Sequence, residues 1–294
     1  MNYNKIFFLL LILIFACLYV GSYKENYTNL NRSDGLEKNI FLLWLQGWEN
    51  AKWLNRQIIE SWKINNPDWK IHYIDLNNLK DYVKDIDYIY DKTKDISPQA
   101  KSDIIRLSLL KNHGGIWADA TLLCMQPLDH WVYEATNPVG FWMYHGNGGG
   151  MSNETGPASW FIVSKKNNYM ITKWKRKCDE YWNNNDSTDN YFWMDGLFKD
   201  LLETDETFNE MWSKVPHLSC ELDGQSHTLS RYGMENDTSH IKRLFLESPP
   251  YVLKFWKGWN DIFPDIDTDK CKKSNGYYAI ELSKRSFSYK HKMA

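Results

Sequence analysis

Residues 97–121 read SPQAKSDIIRLSLLKNHGGIWADAT. Ser97 followed by Pro98 marks a helix start, because the hydroxyl can cap the first turn and proline gives up an amide that no helical bond needs there. Ala100, Ile104, Leu107 and Leu110 recur at three- and four-residue steps and predict one apolar helix face. Gly114-Gly115 stops the helix, and Ile116-Trp117-Ala118 makes a short strand immediately after it. Asp103 and Arg106, three apart, share a face of that helix, while Asp119 stands at the carboxyl end of the strand. An acid, a guanidinium fork and a second acid can therefore converge above a sheet. Taken alone, such a pair on a helix is equally an exposed ion pair of no consequence for chemistry.

The flanking sequence supplies the rest of the layer. Ile40 to Leu45 is an unbroken apolar run, as expected of a strand buried on both faces, and Gln46-Gly47-Trp48 ends it. Ala51 to Asn65 carries Leu54, Ile58 and Trp62 four apart and predicts a helix with Asn50 as its N-cap, closed by Asn66-Pro67-Asp68. Lys70 to Asp75 alternates as a second strand. Strand and helix thus alternate through the first half, which predicts an α/β sandwich on a parallel sheet with ligands at the carboxyl ends of the strands. Farther on, Trp160 to Ser164 reads as a strand and Tyr169 to Trp182 as a helix. The run 146–150 is too rich in glycine to fix one backbone conformation.

Composition narrows the function. The chain has 294 residues, 43% hydrophobic and 24% charged, with a formal net charge of -2, which fits one large domain and excludes a disordered polyion. No basic cluster offers a face for phosphates, so no nucleic-acid partner is expected. The 15 Trp and 18 Tyr suit stacking on sugars or bases, though any single ring can equally fill a core. Five cysteines, at 17, 124, 178, 220 and 271, include no C-x-x-C pair, so a zinc ribbon, a thioredoxin-like motif and a dense disulfide framework are excluded. The eight histidines show no H-E-x-x-H spacing.

From Ile6 to Val20 every residue is apolar, with Tyr3, Tyr19 and Tyr23 at its edges. The expectation is a single-pass membrane anchor in residues 1–24, a polar stem over 25–38 and one domain over 39–294. A cleaved signal peptide competes but lacks an A-x-A site, and Phe15 suits lipidation at Cys17 poorly. Sequons at Asn26, Asn31, Asn153, Asn185 and Asn236 fit a domain beyond the membrane, though an asparagine-rich chain also makes them by chance.

The segment SDIIRLSLLKNHGGIWAD resembles the S-D-x-x-R-x-x-x-L-x-x-x-G-G-x-[YW]-x-D motif of sugar transferases of the GT-A type: glycosyltransferase family 32, the large clostridial glucosylating toxins and, closest, the capsular polysaccharide synthesis proteins. Trp44, Gln46, Gly47, Glu49, Asn50 and Ala51, the stretches 60–63 and 66–69, and Trp160-Phe161-Ile162 extend the resemblance from Ile40 to Pro216, beyond which it fades. It implies a GT-A, Rossmann-like nucleotide-sugar-binding sandwich that moves a sugar from a UDP- or GDP-sugar to a hydroxyl of a glycan or polysaccharide acceptor. It further implies that Trp44 stacks on the base beside Gln46, that Asp103 accepts bonds from the donor sugar, and that Arg106 reaches sugar or diphosphate. Asp119 matches the first Asp of a D-x-D motif, which holds Mn²⁺ or Mg²⁺ against the diphosphate, and Trp117 matches the aromatic position before it.

Thr121 replaces the motif's second Asp. Either Asp119 holds the cation with waters and a late residue, or a basic side chain does part of that work. Asp195, in Tyr191-Phe192-Trp193-Met194-Asp195-Gly196, is the candidate base or acceptor-orienting group, needed as a base only if the anomeric configuration inverts. Two other classes stay open: a carbohydrate-binding relative without catalysis, and a transferase of sugar phosphate that releases a nucleoside monophosphate.

Overall fold

The apolar runs around the Gly-Gly turn assemble as a five-stranded sheet. The computed structural model describes residues 35–146, 156–219, 239–255 and 269–285. Its strands are β1 (Asn39–Leu43), β2 (Lys70–Ile74), β3 (Gly115–Ala118), β4 (Leu122–Cys124), β5 (Phe141–His145), β6 (Pro157–Ser164) and β7 (Val252–Lys254). The main sheet has the order β2-β1-β3-β6-β5, and β4 pairs with β7 separately. The expectation of a parallel sheet holds for β2, β1 and β3. It is corrected at β6, which runs antiparallel to both of its neighbours, β3 and β5. The link between β5 and β6, residues 146–156, is shorter than the dozen or more residues that a parallel crossover requires.

The longer helices are α1 (Trp53–Asn65), α2 (Pro98–His113), α3 (Tyr169–Asn184), α4 (Trp193–Thr204), α5 (Glu206–Lys214), α6 (Ser239–Glu247) and α7 (Asn275–Ser283). α2 begins as its sequence dictates, with Ser97 Oγ accepting the Ala100 amide at 3.2 Å. It packs on the sheet with one side and on α3 with the other, which is why Ile104, Ile105, Leu107, Leu109 and Leu110 are all buried. Gly114 and Gly115 both take positive φ, and a Cβ on Gly115 would stand 2.5 Å from the Asn39 carbonyl oxygen of β1. Only glycine lets β3 leave the helix so close to β1.

Two local readings are corrected. α1 starts at Trp53, two residues late, and Asn50 does not cap it. Residues Trp48–Asn50 form a 3-10 turn instead, and Asn50 Nδ2 donates to the Gln46 carbonyl at 2.7 Å. β1 likewise ends at Leu43, so Trp44 opens the following turn, which closes through Gly47 N to Trp44 O at 3.0 Å.

Most of the tryptophans are structural. Trp62, Trp117, Trp142, Trp174 and Trp182 are fully buried. Cys124 and Cys178 are buried free thiols and Cys271 is buried, and among the described residues the core begins at Leu36. Among the described residues no helix is long and apolar enough to cross a membrane. The run Ile6–Val20, residues 147–150, Cys17 and Cys220, and the sequons at Asn26, Asn31, Asn153 and Asn236 lie outside the described residues.

Candidate active site

Trp44, Gln46, Asp103, Arg106, Trp117, Asp119, Thr121 and Asp195 all line one cleft of about 550 Å³ at the carboxyl ends of β1 and β3. That volume lies within the roughly 300–1,000 Å³ of small-molecule sites. The strand exit is held from both sides. The Asp119 amide donates to the Trp160 carbonyl of β6 at 3.0 Å and the Leu122 amide to the Asp119 carbonyl at 2.9 Å, making a turn over 119–122.

From below, α1 supplies side chains to the backbone that follows Asp119. Asn55 Nδ2 donates to the Ala120 carbonyl at 2.8 Å and Trp62 Nε1 to the Leu122 carbonyl at 2.8 Å. Ser61 Oγ accepts the Cys124 amide at 3.0 Å. These buried polar residues satisfy a strand whose groups would otherwise lack partners.

Asp103 and Arg106 are 5% exposed each, so the reading of an exposed surface pair is overturned. Arg106 Nη2 lies 3.0 Å from Asp103 Oδ1 and 3.5 Å from Asp119 Oδ1. Its Nη1 donates to the Ser159 carbonyl at 2.7 Å and Ser159 Oγ at 3.0 Å, and the guanidinium lies 5.0 Å over the Trp117 ring. Trp193 Nε1 donates to Asp103 Oδ2 at 3.2 Å, so helices α2 and α4 meet at this carboxylate. Trp117 is buried, and its indole donates to Asp119 Oδ1 at 2.9 Å, which orients the acid.

Lys254, at the end of β7, is a site residue that sequence reasoning missed. Its Nζ lies 2.6 Å from Asp119 Oδ2 and 2.8 Å from Thr121 Oγ1. It sits beyond the stretch where the resemblance fades. A signal did exist: one lysine inside the apolar run Tyr251-Val252-Leu253-Lys254-Phe255 is unusual unless the charge is paired.

Burial would raise the Asp119 carboxyl, but Lys254 and Arg106 outweigh it and hold it below the usual carboxylate range. Burial raises Asp103 to about 6, with Arg106 opposing and Asp119 adding to the rise. Burial and then the charge of Asp103 raise Asp195, in the first turn of α4, to about 7 against the opposing pull of Arg106. Burial lowers Lys254 despite its bond to Asp119.

Trp44 borders the cleft, and its buried Nε1 has no hydrogen-bond partner among the described residues. Gln46 is exposed at the rim, as are Tyr191 and Phe192, set edge to face at 4.9 Å.

The residues present do not fit a resident divalent cation. Hard cations need several oxygen ligands, yet Thr121 is neutral, both Asp119 oxygens are engaged by Trp117, Arg106 and Lys254, and Asp103 is engaged by Arg106 and Trp193. Among the described residues no group of three or more His, Cys, Asp or Glu is placed to hold a metal ion.

A family model described as capsular polysaccharide synthesis protein matches residues 18–243. Over 114 residues the chain is 27% identical to glycosyltransferase afumC of Aspergillus fumigatus (strain CBS 144.89 / FGSC A1163 / CEA10), covering 35% of this chain and 29% of that protein. Over 95 residues it is 33% identical to O-glycosyltransferase braB of Annulohypoxylon truncatum, covering 29% of this chain and 23% of that protein. The match spans less than a third of the length of either curated relative. The solved PaToxG glycosyltransferase aligns with 92% of this chain and 94% of its own at 16% identity and a TM-score of 0.39.

Proposed function

The chain belongs to the family of capsular polysaccharide synthesis proteins, and from that premise we propose that it is a GT-A-type glycosyltransferase. It transfers a sugar from a UDP- or GDP-sugar to a hydroxyl of a glycan or polysaccharide acceptor. One observation carries the reading: Arg106 and Lys254, two cations, meet Asp119 at the strand ends in a cleft bordered by Trp44. Paired cations on rigid elements suit the diphosphate of a nucleotide sugar, and an indole face at the mouth suits its base.

In this reading Trp44 and Gln46 receive the nucleotide, Asp103 accepts hydrogen bonds from the donor sugar, and Arg106 reaches the diphosphate. The bond between the anomeric carbon and the diphosphate oxygen breaks with its electron pair on the diphosphate. The acceptor oxygen forms the new bond to that carbon, and its proton passes to the Asp195 carboxylate. Asp195 suits this task because burial, and then the charge of Asp103, raise its pKa to about 7, where a carboxylate still ionised near neutral pH takes up a proton best. Mn²⁺ or Mg²⁺, implied by the resemblance, enters no step, since the donor set does not fit it. The apolar run Ile6–Val20 supports a membrane-anchored chain.

The test is to incubate the protein with a panel of sugar nucleotides and glycan acceptors and to identify the released nucleotide. Nucleoside diphosphate that appears with acceptor is the expected result. Release of nucleoside monophosphate would mean sugar-phosphate transfer, and glycan binding without release of either would mean a non-catalytic relative.

A further inference from the structure

We propose that Lys254 takes the place of the divalent cation, so that this chain binds a nucleoside diphosphate with its own side chains and without a metal. The inference rests on the transferase reading above and names the group that receives the diphosphate charge.

A D-x-D site recruits a cation because two carboxylates would otherwise face a diphosphate. Here the second carboxylate is absent at Thr121, and an ammonium lies against the remaining one at 2.6 Å. Two of the three Lys254 N–H donors are directed at Asp119 Oδ2 and Thr121 Oγ1. The third is left for a ligand oxygen, on a side chain that lines the cleft and is 14% exposed.

The position is built into the fold. β7 pairs with β4 in a register that sets Lys254 opposite Leu122, and the Phe255 amide donates to the Thr121 carbonyl at 2.8 Å. The ladder that carries Lys254 is thus continuous with the turn that carries Asp119. Arg106, 3.5 Å from the other oxygen of Asp119, supplies a second fixed cation. A metal ion entering here would have to displace the ammonium and then stand beside both positive groups.

With the diphosphate between Lys254 and Arg106, the charge left on it when the glycosidic bond breaks is met by donors already in position, the arrangement that lowers a barrier most. Asp119 then serves as the anchor that aims both cations, which accounts for an acid at the strand end without a second acid beside it.

The experiment is calorimetric titration of UDP and of GDP into the full chain in detergent, in excess EDTA and again in Mn²⁺, for the parent, Lys254→Met and Lys254→Arg, with melting temperatures recorded alongside. For the parent we expect binding in EDTA and a change of less than about threefold on adding Mn²⁺. Lys254→Met is expected to bind at least tenfold more weakly in EDTA, and Lys254→Arg to recover much of that loss. Binding by the parent that requires Mn²⁺, or Lys254→Met binding like the parent in EDTA, overturns the role of Lys254 and leaves the transferase reading standing. No nucleoside diphosphate binding in either buffer overturns both. If Lys254→Met fails to fold, the parent in EDTA and Lys254→Arg decide.

Discussion

Lys254 Nζ lies 2.6 Å from Asp119 Oδ2 although the two residues are 135 positions apart. The contact ties the carboxyl end of β3 to the far end of β7 and gives Asp119 two cations to hold, Arg106 being the other.

Asp119→Ala is therefore expected to lower transfer by two or more orders of magnitude, because both cations lose their anchor at the point where charge develops. The fold should survive, since the side chain is 23% exposed and fills no core. Turnover measured with the preferred donor, beside a thermal melt, checks this. A rate within about threefold of the parent would remove Asp119 from the site.

Arg106 is expected to matter for both stability and donor binding. Its guanidinium serves Asp103, Asp119 and Ser159 at once, a set that a lysine point charge cannot reproduce. Arg106→Lys should weaken nucleotide-sugar binding at least tenfold. Arg106→Ala should also cost about 3–5 kcal/mol in denaturant unfolding, because it strands a buried carboxylate. An exposed pair would cost about 0–1 kcal/mol, and a result that small would contradict the observed burial.

Much of this site is legible in the sequence because its parts are local. Ser97-Pro98, the 104-107-110 spacing and Gly114-Gly115 fix where α2 ends and β3 begins, and that alone brings Asp103, Arg106 and Asp119 to one place. Lys254 is not legible in the same way. It reaches Asp119 through the pairing of β7 with β4, and no local pattern encodes a partner so distant in sequence. The polar face of α1 is hidden for a related reason. Nothing local in the sequence marks Asn55, Ser61 and Asn65 as buried, because their partners are backbone groups of 120–124. The antiparallel direction of β6 escapes too, since the apolar pattern of a buried strand carries no direction.

Gly115→Ala is expected to damage the site from a distance. At φ +110°, with the Asn39 carbonyl oxygen 2.5 Å from where the added methyl would stand, the substitution forces β3 away from β1. The penalty should exceed about 1–3 kcal/mol, the usual cost of strained backbone, and should be accompanied by lost nucleotide binding. Unfolding curves and calorimetry on the same preparation check it. A stable variant with normal binding would show that β3 can shift without moving Asp119.

Deleting Met1 to Lys24 is expected to release the protein from the membrane fraction while leaving nucleotide binding intact, because the described core begins at Leu36. Fractionation followed by titration of the soluble product tests both halves. Failure of the truncated chain to fold would mean that the apolar run packs within the domain.

Asp195 makes a prediction about pH whose sign is fixed by its surroundings. Burial first, and the Asp103 carboxylate of α2 second, raise its pKa from 3.8 to about 7, with Arg106 pulling the other way. The folded protein therefore keeps a proton that the unfolded chain releases near pH 4. Stability contributed by this group is present below about pH 4 and lost as pH rises toward 7, by up to roughly 4 kcal/mol. Asp195→Asn should remove that slope and leave the variant more stable than the parent at pH 8. Activity should move in the opposite direction. A base works only when ionised, so kcat should climb through about pH 7 to a plateau in the parent. In Asp195→Asn it should be lower by a factor of about 10²–10⁴, without that climb. A variant that keeps the parent's pH profile with only a raised KM would make Asp195 an acceptor-positioning residue and assign the proton to another group.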